Sequence, residues 1–146
     1  MNPSRILPDL QCSLLCEDVR QEVTGNFILL GVVNFLRVPQ LPVAVFKLFL
    51  FNRWTAGIGE FRETSRLIAP DQTTVLRSVE AKFALQDPSH NVTNVSFWGQ
   101  IKLEIAGTYH YEVLVDDVMK MRFPLVLTVA PTEQQPGAGA GPKKTP

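Results

Sequence analysis

Val95-Ser-Phe-Trp-Gly-Gln-Ile-Lys-Leu103 is the stretch on which the fold turns. Its odd positions run Val95, Phe97, Gly99, Ile101 and Leu103, and its even positions Ser96, Trp98, Gln100 and Lys102. A period of two belongs to a strand with one dry face, not to a helix with its period of about 3.6. The same alternation recurs from Val75 through Arg77, Val79, Ala81 and Phe83 to Leu85, and again from Tyr109 through Tyr111 and Val113 to Val115. Two further segments are apolar on both faces, Phe27-Ile-Leu-Leu-Gly-Val-Val33 and Val43-Ala-Val-Phe-Lys-Leu-Phe-Leu-Phe51. They suit central strands covered on both sides.

Working outward, turn residues separate these runs at Thr24-Gly25-Asn26, Pro39–Pro42, Ala56-Gly57, Pro70-Asp71-Gln72, Asp87-Pro88-Ser89, Ala106-Gly107 and Asp116-Asp117. They leave about eight strands, near 10–17, 26–37, 42–54, 58–69, 74–86, 92–104, 108–116 and 118–129. Spacing of this kind predicts an all-β chain: a single antiparallel β-sandwich of immunoglobulin-like or C2-like type. The one helical signal is Glu17–Val23, acidic at its start and one turn long. Residues 1–9 read as an N-terminal lead and 10–130 as the sandwich domain. Residues 131–146 are dense in Gly and Pro without a large apolar side chain, which predicts a disordered tail.

The chain has 146 residues, with 14 basic and 14 acidic side chains and a net charge of zero. That balance argues against a general nucleic-acid binder, which needs surplus Lys and Arg to neutralise phosphate, and against a polybasic membrane-surface protein. The longest uncharged stretch, between Glu22 and Arg37, falls short of the ~20 residues of a membrane helix. No apolar run follows the N-terminus, so the expected compartment is the cytoplasm. The two cysteines, Cys12 and Cys16, would stand roughly 13 Å apart on a strand. That is too far for a disulfide, and reduced thiols are expected.

Other segments are similar to a small family of bacterial proteins with no assigned activity. These are Leu15-Cys-Glu-Asp-Val-Arg-Gln-Glu-Val-Thr-Gly-Asn-Phe-Ile-Leu-Leu-Gly-Val32, Leu50-Phe-Asn-Arg-Trp54, Gly107-Thr-Tyr-His-Tyr-Glu-Val-Leu-Val-Asp116 and Phe123-Pro-Leu-Val-Leu-Thr-Val129. The resemblance spans residues 10–130 in order. It implies a compact β-sandwich in a bacterial cytoplasm, and it implies no reaction. One departure is Asp116-Asp117, where the family pattern tends to Asp-Gly, the dipeptide that suits the positive φ of a type I′ turn.

No catalytic constellation stands out. Cys12, Cys16, His90 and His110 supply no Cys–His pair at a recognisable spacing and no zinc set, because structural zinc takes four ligands in closely spaced pairs. The cysteines read as small core hydrophobes and His110 as a solvated residue between two tyrosines. Gly57-Ile-Gly59 is a turn, not a phosphate loop. No cofactor is expected. If strands alternate direction, the loops at 17–25, 54–58, 86–92 and 116–117 gather at one end, with Asp18, Asp87, Asp116 and Asp117 as weak metal candidates. Calcium needs six to eight oxygens, and Asp is favoured in turns for local reasons. The expectation is therefore a non-enzymatic interaction or structural module, set against a calcium-dependent or hydrolytic enzyme using that acidic end.

Register gives a candidate contact surface. A hairpin around Gly107 would pair Trp98 with Leu114, and a two-residue turn at Asp116-Asp117 would pair Leu114 with Met119 and Val115 with Val118. Trp98, Leu114 and Met119, with Met121 beyond, would then form an apolar stripe on an outward face. Such a stripe fits a protein partner or a homodimer. A bulge near Val115 or at Phe123-Pro124 would instead return the methionines to the core.

Overall fold

The alternating runs become strands, and the computed structural model describes residues 5–45 and 47–130. Eleven strands lie among them. They are β1 (Asp9–Gln21), β2 (Phe27–Val32), β3 (Leu36–Val38), β4 (Val43–Val45), β5 (Phe49–Thr55), β6 (Gly59–Ile68), β7 (Val75–Leu85), β8 (Asn91–Phe97), β9 (Ile101–Leu103), β10 (Gly107–Val115) and β11 (Val118–Val129). The described residues contain no helix. The expected tail, from residue 131, lies outside them.

Three expected long strands are each broken in two, which raises the count from about eight to eleven. The segment 26–37 divides into β2 and β3, 42–54 into β4 and β5, and 92–104 into β8 and β9. In every case the two halves join different sheets. The orders are β2-β1-β5-β8, β3-β11-β10-β6-β7 and β4-β9. Chain that changes sheets must bend, and the third break is marked by Gln100 at φ 54°. The Glu17–Val23 helical signal is also overturned: β1 runs on to Gln21 and pairs with β2 from Cys16↔Val32 to Gln21↔Phe27. Neighbouring ladders are antiparallel except β3 on β11, which is parallel.

Side chains of the two larger sheets meet across a shared interior. Leu15, Leu50, Leu67, Trp98, Tyr109, Tyr111, Leu125 and Leu127 form one buried cluster. Trp54, Phe61, Phe83, Leu85, Val113 and Val115 form a second. Between them runs a buried polar layer. Ser13 Oγ donates to Asn52 Oδ1, and Asn52 Nδ2 donates to Ser65 Oγ at 3.1 Å. Buried amides and hydroxyls are tolerated here because each has a partner.

The lead joins the fold from Arg5 on. Ile6 bridges Ile58, Leu7 packs on the second cluster, and Arg5 lies over the Phe61 ring at 4.6 Å.

Candidate functional site

A cleft on the surface comes from the shape of β1. Its first half pairs with β5, ending at Cys16↔Phe49, and its second half pairs with β2. On a straight ribbon Phe27, opposite Gln21, would stand roughly 17 Å past Phe49. Instead its ring meets Phe51 edge-on at 5.5 Å. The β1–β2 hairpin therefore curls back over the sheet. Under it lies a cleft of about 540 Å³, lined by Thr24–Phe27 and Leu29 of the hairpin and by Phe51, Arg53, Asn91 and Thr93 of β5 and β8.

Strand alternation explains Arg53. On β5, Leu50, Asn52 and Trp54 are fully buried between the sheets. Arg53 points the other way and sits between Cys12 of β1 and Thr93 of β8. A register shift between Leu10 and Cys12 lets Leu10 pack on the second cluster while Cys12 faces Arg53. The Arg53 Nε is buried without a hydrogen-bond partner, and among the described residues no carboxylate pairs with it. Burial raises the Cys12 thiol above its ordinary value, with the Arg53 charge opposing, and burial likewise raises Cys16. Both thiols are free.

On the outer face of the same hairpin, β2 presents apolar side chains beside the Asp18–Arg20 ion pair of β1. β2 is an edge strand, and its Ile28, Leu30 and Val32 are 40%, 39% and 47% exposed. Sheet edges are ordinarily guarded by charge. Edge strand β7 carries Arg77, Glu80 and Lys82, and edge strand β3 carries Arg37, whereas β2 carries no charge. The opposite edge, β8, is also uncharged; it mixes Asn91, Thr93, Asn94 and Ser96 with exposed Val95 and Phe97.

The expected stripe takes another form. β9 pairs with β4, and β10 pairs with β6 and β11, so Trp98 and Leu114 are not neighbours on one ladder. Trp98 is wholly buried against Tyr111, their rings 5.0 Å apart, and Leu114 is buried as well. The turn pairs Leu114 with Met119 and Val115 with Val118, in the expected register. A bulge then sets Val113 opposite Met121, leaving Met119 exposed and Met121 half-buried.

The acidic candidates are held locally. Asp18 accepts from the Val19 N–H and from Arg20, and the Arg20 contact lowers its pKa. It lies in β1 beyond Cys16, away from the 116–117 turn. Asp87 accepts from the hydroxyl and N–H of Ser89, which lower its pKa. Asp116 takes Arg5 and the Arg62 N–H, while Asp117, 83% exposed at its side chain, reaches Arg62 at 3.8 Å. Among the described residues no group of three or more His, Cys, Asp or Glu is placed to hold a metal ion. His110, expected in solvent, is half-buried, and burial lowers its pKa.

The sequence held a signal for the facing of Arg53, though not for the cleft: Asn52-Arg53 stands between Phe49-Leu-Phe51 and Trp54. Adjacent positions face opposite ways, so one had to enter the interior and the other the outer face. Among the described residues no helix is long and apolar enough to cross a membrane.

Fold and site together define an all-β domain whose distinguishing element is a curled hairpin over a cleft. The chain belongs to the family of unknown function DUF6941, whose model matches residues 11–128. No curated protein matches it.

Proposed function

We propose that this domain is a non-catalytic protein-interaction module of the bacterial cytoplasm, and that a strand of its protein partner adds to the free edge of β2. One observation carries this reading: β2 is an uncharged edge with three exposed aliphatic side chains. An added strand would satisfy its open backbone groups and cover those side chains, which is the common physics of β-strand addition. The raised thiols support a non-enzymatic role, since an attacking cysteine needs a lowered pKa. Free thiols also suit a reducing compartment. Zero net charge supports a protein rather than a nucleic acid or a membrane surface as partner.

The test is Leu30→Lys, a change at an exposed edge position. Capture from a bacterial cytosolic extract and the solution mass by light scattering are measured for both forms. The variant should unfold at the wild-type temperature and lose the captured partner. Should only a dimer be lost, the added strand is that of a second copy. Unaltered capture and mass would sink the proposal.

A further inference from the structure

We infer that the cleft under the β1–β2 hairpin binds a small organic acid, with its carboxylate on Arg53 and its apolar body against Phe27, Leu29 and Phe51. This inference rests on the cleft alone and is independent of what joins the β2 edge.

The charge is the first argument. Long basic side chains that merely cover apolar surface keep their heads in water. Arg53 lines the cleft, and among the described residues its guanidinium pairs with no carboxylate; its Nε is closed off, so the terminal nitrogens are what the cleft can offer. An incoming carboxylate would neutralise that unpaired charge and accept two parallel bonds from the terminal nitrogens, for which a guanidinium is shaped.

The walls are the second argument. A volume of about 540 Å³ falls within the range of small-molecule sites, roughly 300–1,000 Å³. Phe27, Leu29 and Phe51 supply aromatic and aliphatic surface, which fits an aryl or branched body. Thr93 and Asn91 lie beside Arg53 and can bond the second carboxylate oxygen or a neighbouring hydroxyl. Arg53 is the single cation among the residues lining the cleft, which favours a carboxylate monoanion over a phosphate dianion.

The experiment titrates the full chain with 3-phenylpropionate, its neutral amide and phenyl phosphate by calorimetry. In parallel, NMR follows the terminal guanidinium N–H resonances of Arg53. The acid should bind saturably, the amide at least about tenfold more weakly, and the terminal N–H signals should move downfield with the acid only. Arg53→Gln should erase the preference for acid over amide. Thr93→Val should weaken the acid while preserving that preference. Several outcomes overturn the assignment: acid and amide bind alike, no ligand binds at millimolar concentration, or phenyl phosphate outcompetes the acid. So does a preference that survives Arg53→Gln. The NMR arm decides the matter in the wild-type chain even if that variant does not fold.

Discussion

Trp54 donates its indole N–H to Glu63 across the interior, with Nε1 and Oε1 2.6 Å apart. The two residues belong to different sheets, and both side chains are almost wholly removed from solvent. Asn94 Nδ2 donates to the same oxygen at 3.1 Å, and among the described residues no cation pairs with Glu63. Two donors thus satisfy an acidic side chain that would otherwise be expensive to bury. Trp54→Phe removes the shorter of them and leaves a gap beside Phe83, on which Trp54 stacks. A loss of about 2–4 kcal/mol is expected, from a weakened buried carboxylate plus a cavity. Urea unfolding measures it, and a change within experimental error would show that the contact has no structural weight.

Tyr111 presents the opposite case. Its ring is wholly buried between Trp98 and Phe123, yet its hydroxyl finds no partner, and burial pushes the phenol pKa well up. Tyr111→Phe keeps the ring and removes the unsatisfied group. The variant should be at least as stable as wild type, by up to about 1–2 kcal/mol. A clear drop in the urea midpoint would mean that the hydroxyl is satisfied in solution.

The Asp116-Asp117 turn closes with both residues at positive φ, 47° and 68°. Asp116 is tied to Arg5 and to the Arg62 N–H, whereas Asp117 makes only an exposed contact with Arg62. Asp117→Gly relieves left-handed strain of about 1–2 kcal/mol and loses an ion pair worth less than about 1 kcal/mol. A small rise in melting temperature is expected. A fall would show that the Arg62 contact outweighs the backbone.

Asp116 also sets an acid dependence. Burial by itself would raise its pKa, but Arg5 and the Arg62 N–H outweigh burial and hold the carboxyl below its ordinary value. A group depressed in the folded state contributes stability above its unfolded pKa of about 3.9 and loses it as pH falls through the folded value. Asp116→Asn should therefore melt below wild type at neutral pH. The gap should close on acidification below pH ~4. Parallel curves across that window would contradict the linkage.

The thiols report on the curl of the hairpin. Cys16 is fully buried and Cys12 partly so, and burial raises both pKa values. At pH ~8, near the pKa of an ordinary thiol, Cys16 should resist an aromatic disulfide reagent until the chain unfolds, while Cys12 reacts slowly. Rapid modification of Cys16 in native protein would mean that the hairpin opens readily.

Strand content was legible because alternation is local. The runs at 75–85 and 109–115 lie inside β7 and β10. The 116–117 turn fixed its own pairing, Leu114 with Met119, since a two-residue loop leaves one register. Met121 departs from the stripe by one bulge residue, a choice that depends on packing.

The cleft and the Trp98 environment were not legible, and the reason is the same for both. Trp98 stood among the even, polar positions of an alternating run, and parity assigns it outward only if the strand is continuous. The chain instead bends between Phe97 and Ile101, with Gln100 at positive φ, and Trp98 turns inward onto Tyr111. The curl that carries Phe27 onto Phe51 likewise arises from the path of a two-stranded ribbon, which no periodicity records.

By itself, then, the sequence determined that the chain is built of strands, where it turns, and that Asp116-Asp117 closes a hairpin, because these follow from steric preferences within a few residues. Tertiary structure alone decided which strands share a sheet, which face of each break is dry, and that Arg53 lines a cleft with its Nε unpartnered. Those outcomes depend on contacts between residues far apart in the chain, such as Arg53 with Cys12 and Thr93, whose favourable burial outweighs the local pattern once the sheets meet.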